Sequence, residues 1–135
     1  MAKTKFERLS VIHRREIIWL KWYFLRDKTN SEKTILEQKI QDCFLENNNE
    51  DAAFYVNLNT VTSEVISRTD ESLVRVLKEV YVYETMNVIG ASQRIYYRSP
   101  NRTYKHLNNW FDNYFRATYR HLLANALDCL LYTSP

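Results

Sequence analysis

Glycine and proline, which punctuate most turns, are scarce in this sequence: it has one glycine and two prolines among 135 residues. A β-sandwich or a barrel needs many such turns, so their scarcity favours helices. The chain is 45% hydrophobic and 14% aromatic, which is enough apolar material for a buried core and too much for intrinsic disorder. We therefore expect an all-α fold.

Cysteine and long apolar runs are also scarce. Cys43 and Cys129 form neither a disulfide framework nor a metal-binding spacing. The densest apolar run, residues 17–25, is interrupted by Lys21, and a membrane span needs about 20 apolar residues. The first residues are charged and lack the apolar stretch of a secretory leader. The sequence thus predicts a protein of the cytoplasm.

Few residues could support catalysis. The three histidines, His13, His106 and His121, have no cysteine or acid at zinc-binding spacing. Glu16 lies on a largely apolar helix without a partner for acid–base chemistry, and a salt bridge is the commoner role for such a residue. A glycine-rich phosphate loop is excluded because there is one glycine. We expect a protein that is not an enzyme and that uses no metal or other cofactor.

The last seven residues form an unusual string, Cys129-Leu130-Leu131-Tyr132-Thr133-Ser134-Pro135. It resembles one translated frame of a transposon mosaic-end adaptor used in sequencing; a natural helix end is the alternative. On the adaptor interpretation, the protein's own residues stop near Asp128, and residues 129–135 take no part in function.

Charge is unevenly distributed, although the net charge is only +3. Residues 1–30 carry eight Lys or Arg and three acids, whereas residues 31–51 carry two Lys or Arg and six acids. Residues 82–127 carry six Lys or Arg and two acids. Basic residues are thus concentrated toward both ends of the chain, a distribution compatible with a nucleic-acid surface.

Hydrophobic spacing predicts a helical hairpin in the first third of the chain, with helices over 6–28 and 32–46. The residues between them, 29–31, have the chemistry of helix caps. Three asparagines at 47–49 favour a turn and mark a boundary between a helical segment, 1–49, and a second domain, 50–128.

The first of these helices is apolar on most sides in its second half, so it is buried or faces a partner. Trp19, Trp22 and Phe24 are accordingly core residues or a dimer seam. We expect residues 6–46 to support a homo-oligomer.

Two more helices are predicted before residue 85. The first, over 51–67, is rich in valine and threonine, so a strand at 54–62 is an open alternative. The second begins at a cap, Thr69 or Asp70, and its apolar residues recur at helical spacing. These residues are Leu73, Val76, Leu77, Val80 and Tyr81.

The segment from Asn87 to Phe115 carries the strongest functional signal. Asn87 can cap a short helix over 88–96, where Gly90 and two small neighbours would let a second helix cross closely. Ser99 is a favoured cap, and Pro100 suits the first position of the long helix that follows. A short helix, a tight turn and a capped second helix form the layout of a helix-turn-helix, and we expect the C-terminal domain to be a bundle of this type.

The outward face of the second helix carries no acid in its first two turns. Its donors and acceptors suit base edges and phosphates, although a solvated basic face is common in helical hairpins. The predicted DNA-binding residues are Arg94, Arg98, Ser99, Asn101, Arg102, Thr103, Lys105, His106 and Asn109. The residues predicted to lie on the buried side are Tyr104, Leu107, Phe111, Tyr114, Phe115 and Thr118.

From about residue 52 to residue 118, the sequence resembles the C-terminal region of phage and prophage transcription regulators of the autolysin-regulator and late-gene-activator type. These regulators are similar to the fourth region of bacterial sigma factors. The resemblance rests on Leu73-x-x-Val76-Leu77-x-x-x-Tyr81, Ile89-Gly90-Ala91-Ser92 and Ser99-x-x-x-Thr103-Tyr104-x-x-Leu107.

The resemblance implies a transcription regulator in a bacterial host, with double-stranded DNA as its partner and RNA polymerase as a further one. It also implies that Arg102, Thr103, Lys105 and His106 face DNA. The turn departs from the family pattern. Tyr96-Tyr97-Arg98 replaces a small residue, and the span from Ser92 to Ser99 is one residue longer.

Two other functions remain open at this stage. A phage DNA-packaging adaptor, similar to small terminase subunits, also combines a helix-turn-helix with helices for oligomerisation, but usually places the helix-turn-helix first. A helical protein-interaction domain that binds no nucleic acid is the second alternative. The order of the segments favours the regulator over the adaptor.

Overall fold

Seven α-helices make up the part of the chain that the computed structural model describes, which is the backbone of residues 5–133 and the side chains of residues 9–124. The all-α prediction is confirmed over this range. The helices are α1 (Lys5–Ile12), α2 (Arg14–Phe24), α3 (Ile35–Leu45), α4 (Asn49–Arg68), α5 (Glu71–Leu77), α6 (Val88–Ala91) and α7 (Pro100–Thr133). Helices α5 and α6 each continue into a π-helical turn, Lys78–Val82 and Ser92–Tyr96 respectively.

The helix predicted over 6–28 is bent at His13 and shorter than expected. His13 leaves helical geometry (φ −106°, ψ 28°), yet backbone bonds from His13 N to Leu9 O and from Ile17 N to His13 O continue through the bend. The His13 side chain is buried, stacks on Phe111 of α7 and bonds Asn108 of α7 at 2.8 Å. This long-range contact, which helical periodicity does not encode, accompanies the bend.

The connection between α2 and α3 is longer than predicted. Leu25 is extended, which ends α2, and Arg26 pairs with Thr34 in an isolated antiparallel bridge. Thr34 and Glu37 then form a capping box, in which Thr34 Oγ1 accepts from Glu37 N at 3.1 Å and Glu37 Oε1 accepts from Thr34 N at 2.9 Å. The cap therefore lies at Thr34 and not at 29–31.

The predicted asparagine turn forms at Asn47 and Asn48, Asn49 already begins α4, and α4 is helical throughout. Asn47 takes a left-handed conformation (φ 58°), and the Asn48 side chain accepts from Asp51 N at 3.3 Å to cap α4. Residues 54–62 lie inside this helix, so the alternative of a strand is wrong. The apolar residues predicted to face inward from the next helix do so. Val80 is half-buried, and the buried side chains are Leu73, Val76, Leu77 and Tyr81.

One hydrophobic core includes residues from both sides of the predicted boundary at 49/50. Trp19 of α2 contacts Phe54 of α4 and Tyr114 of α7 edge-on. Thr62 of α4 and Tyr114 share a buried hydrogen bond of 2.6 Å between their hydroxyls. The fully buried members of the core are Leu9, Leu20, Leu36, Leu58, Val76, Leu77, Ala91, Leu107, Phe111 and Tyr114.

Helix α7 is held on its inner face by this core. Leu107, Phe111, Tyr114 and Thr118 are buried as predicted, and Tyr104 and Phe115 are half-buried. Trp110 adds a hydrogen bond from Nε1 to Thr69 Oγ1, 2.8 Å long. The side chains of the predicted adaptor-derived segment, 129–135, lie outside the described residues.

Candidate nucleic-acid interface

Helix α6 and its π-helical turn form the short helix predicted over 88–96. The Asn87 side chain accepts from Gly90 N at 2.8 Å, so the predicted cap is present. Ala91 and Ser92 are fully buried and allow close packing, as expected for small residues. Gly90 is not such a crossing point, since a Cβ added there would meet the Asn87 cap oxygen at 3.3 Å.

The π-helical turn Ser92–Tyr96 offers a physical account of the long turn. A π-helical turn contains one residue more than an α-helical turn. Ser92 Oγ donates to Val88 O at 2.8 Å, and Ser92 O accepts from Arg98 N at 3.3 Å. The span from Ser92 to Ser99 can therefore hold its extra residue while Ile95 and Tyr96 still point into the core.

Helix α7 starts where the sequence predicted. Ser99 Oγ accepts from Arg102 N at 3.2 Å, and Ser99 O accepts from Thr103 N at 3.0 Å. Pro100 is the first helical residue, where its missing N–H leaves no donor without a partner. The first turn of α7 is therefore capped.

Most of the predicted DNA-binding side chains lie on the surface. Arg94, Arg98, Ser99, Asn101, Arg102, Lys105 and Asn109 are all exposed. Two of them follow the cap directly, Asn101 and Arg102, and Lys105 and Asn109 lie one and two turns further along α7. This face carries donors and acceptors but no acid over residues 85–111.

Thr103 does not belong to this exposed face. It is fully buried, and its hydroxyl donates to Ser99 O at 3.0 Å. The prediction that Thr103 faces outward is therefore wrong, because a threonine three residues after Pro100 turns toward the core side of Leu107. Its role is to hold the first turn of the helix.

His106 is half-buried and bonded to the preceding helix. Its Nδ1 lies within hydrogen-bond distance of the Tyr96 hydroxyl, and the two rings meet edge-on. Burial raises the pKa of Tyr96. His106 thus makes a contact that joins the π-helical turn after α6 to α7, and it lacks the full exposure expected of a DNA-facing residue.

Arg98 also contacts Tyr96. Its guanidinium lies 4.0 Å from the centre of the Tyr96 ring, and its Nη1 donates to Tyr96 O at 3.3 Å. The pKa of Asp70 is lowered, mainly by a hydrogen bond from the Ser72 hydroxyl and also by the positive charge of Arg98. Arg98 therefore stabilises the turn, and its positive charge is partly offset by Asp70, the residue before α5.

Tyr97 is the feature of the turn that the sequence did not predict. It adopts a left-handed conformation (φ 54°, ψ 42°) that a side chain makes costly, by about 1–2 kcal/mol. Its own side chain is 80% exposed. A turn of this kind usually places a glycine at its left-handed position, and this turn has none. That absence was the sequence signal that a residue with a side chain, here Tyr97, takes the left-handed conformation.

Over the described residues, no group of three or more His, Cys, Asp or Glu side chains could hold a metal ion. Burial raises the pKa of the Cys43 thiol, which lies in the core. No helix within the described range has the length and apolar character needed to cross a membrane.

A groove of about 970 Å³ lies between α2 and the start of α6. Its walls are mainly apolar, with Ile17, Ile18, Met86 and Ile89 among them. Lys21 and Glu84 form an exposed ion pair of 3.4 Å at its edge. The groove lies beside the helix pair formed by α6 and α7, and none of the predicted DNA-binding residues line it.

Comparison with family models, with curated proteins and with solved structures finds no match to this chain.

Proposed function

We propose that this protein is a sequence-specific DNA-binding regulator of transcription, of phage or prophage origin, acting in the cytoplasm of a bacterial host. The observation that carries the proposal is the start of α7: a capped, firmly packed helix end whose outward side presents Asn101, Arg102 and Lys105 without an acid. In this proposal, α6 and α7 form a helix-turn-helix, and α7 enters the major groove.

The chemistry of the exposed face supports this choice over a merely solvated surface. Arginine can donate to guanine N7 and O6 together, and asparagine can pair with adenine in the same bidentate manner. Lysine and serine groups suit phosphate oxygens. Because Trp110, Phe111 and Tyr114 fix the inner face of α7, these groups would meet DNA without first ordering the helix.

The resemblance to late-gene activators adds RNA polymerase as a proposed second partner. A DNA-packaging adaptor would use the same face of α7, so an assay of transcription from a bound promoter separates the two functions. A protein-interaction domain would bind no duplex at all, and a gel shift separates it from both.

Binding to duplex DNA is expected to depend strongly on salt. On a duplex without the preferred site, where no base is read, about four phosphate contacts from Arg94, Arg98, Arg102 and Lys105 predict a slope of log affinity against log salt near −3.6, at about −0.9 for each contact. The measurement is fluorescence anisotropy on a labelled mixed-sequence duplex over a salt series. A slope near zero would contradict the proposal.

Two single substitutions on α7 provide a matched comparison. Lys105→Ala should make the slope less negative by about 0.9, since one phosphate contact is lost. Arg120→Ala removes the same charge from an exposed position about 22 Å further along α7 and should leave the slope unchanged. Equal effects of the two substitutions would indicate a general charge effect and not this surface.

Self-association through residues 6–46 is proposed on the apolar side chains that this segment leaves exposed. Val11 and Ile12 are 57% and 62% exposed, and Phe44 and Leu45 are 58% and 73% exposed. A second copy is the proposed partner, because helix-turn-helix proteins commonly read two half-sites about one DNA turn apart as dimers.

Ile12→Glu is therefore expected to convert a dimer into single chains that keep the fold, since the side chain lies outside the core, and only the stabilisation contributed by association is lost. Sedimentation equilibrium measures the mass of the species in solution. Thermal unfolding, with every variant at the same protein concentration, checks that the fold is kept. Val56→Glu, an exposed position on α4, is the control and should stay dimeric. A wild-type chain that sediments as a monomer would rule out this oligomer.

A further inference from the structure

Tyr97 combines two features that oppose folding. Its backbone is left-handed, which penalises every residue with a Cβ, and its aromatic ring is 80% exposed, the highest value among the large hydrophobic side chains that the structure describes. A glycine or asparagine would remove the first cost, and a polar side chain would remove the second. Stability of the folded chain therefore gives no reason for a tyrosine at this position.

The surroundings of Tyr97 indicate which partner would use the ring. It lies three residues before Pro100, so its Cα is within about 11 Å of the start of α7. The exposed side chains that follow it closely in the sequence include Arg98, Asn101 and Arg102, which are donors to anionic groups. The Tyr97 side chain itself has no hydrogen bond or ring contact among the described residues, so both its ring and its hydroxyl are free for a ligand.

We infer that Tyr97 is a DNA-contacting residue: its ring packs on the deoxyribose at the edge of the groove that α7 enters, and its hydroxyl donates to an adjacent phosphate. Tyrosine hydroxyls are regular donors to phosphate oxygens, and such contacts position a protein without reading bases. The inference rests on the proposed DNA-binding function and adds to it an uncharged contact in the turn. Tyr97 would then fix how deeply the start of α7 sits in the groove.

The test uses the full-length chain and a labelled mixed-sequence duplex about three helical turns long. Tyr97→Gly should bind at least tenfold more weakly, and Tyr97→Phe about tenfold more weakly if the phosphate hydrogen bond is made to a charged group. The salt slope should stay as in the wild type for both, because a neutral side chain releases no counterion. Tyr97→Gly should melt at or above the wild-type temperature, since the left-handed backbone suits glycine.

Asn47→Gly is the matched control, because it changes another exposed residue of positive φ (58°) in a turn remote from the helix pair. It should leave the affinity for DNA unchanged. If the wild type binds and Tyr97→Gly binds within twofold of it, the inference is overturned and the proposed function stands. If the wild type does not bind duplex DNA at low salt, the proposed function fails and the inference falls with it.

Discussion

Replacing Trp19 with alanine is expected to lower the free energy of unfolding by about 3–5 kcal/mol, and to weaken α7 as much as α2. The Trp19 side chain is 7% exposed, and its ring centre lies 6.2 Å from that of Phe54 and 5.9 Å from that of Tyr114. Alanine would leave a cavity among three helices, two of which lie beyond residue 49. The free energy of unfolding of a typical domain is about 5–15 kcal/mol, so a loss of this size is a large part of it.

Native-state hydrogen exchange is the measurement, because it reports the protection of α2 and α7 separately. Trp22→Ala is the control: that ring is half-buried and contacts Tyr55 and Lys39, so a smaller loss is expected. If the amides of α7 kept wild-type protection while those of α2 lost theirs, the chain would consist of two independent units divided at residues 47–49. The shared core predicts that both sets of amides lose protection together.

Arg102→Ala is expected to weaken binding to a preferred DNA site by about 1–3 kcal/mol, with the loss confined to one base-pair position. Arg102 is exposed in the first turn of α7, so the free energy of unfolding should change little. Ser99→Ala should do the reverse. It removes the cap that accepts from Arg102 N, costs about 1 kcal/mol of stability and leaves the base preference unchanged.

The preferred site would be selected from random-sequence duplexes, and affinity would then be measured on a panel of its single-base variants. An even loss across the panel would reduce Arg102 to a phosphate contact and move base reading to Asn101 or Asn109, the other amide side chains exposed on this face. No loss on any sequence would show that this face of α7 does not meet DNA.

Local sequence signals predicted the second half of the chain well. Asn87, Ser99 and Pro100 begin their helices as expected, because capping depends on a side chain and on backbone groups two or three residues away. The inward stripe of α5 and most of the buried positions of α7 follow from the 3.6-residue period in the same way.

Most of the misassigned features depend on contacts with other parts of the chain. Thr103 and His106 are polar residues on a basic stretch, and composition alone placed them on its outer side. Thr103 lies one helical turn before the buried Leu107, so its inward position follows from the 3.6-residue period itself, whereas the bond of His106 to Tyr96 depends on how α6 packs against α7. The contacts of His13 with Phe111 and Asn108, which accompany the bend, likewise join residues almost a hundred positions apart along the chain.

The sequence by itself determined that the protein is helical, where most of its helices begin, and which stretch of the chain is basic and free of acids. Each of these properties is set by neighbours within one or two helical turns. Only the tertiary structure decided that the helices on both sides of residue 49 share one core, and that Tyr97 is held exposed in a left-handed turn beside α7. Burial and backbone conformation of this kind arise from packing between segments far apart in the sequence, for which local periodicity carries no information.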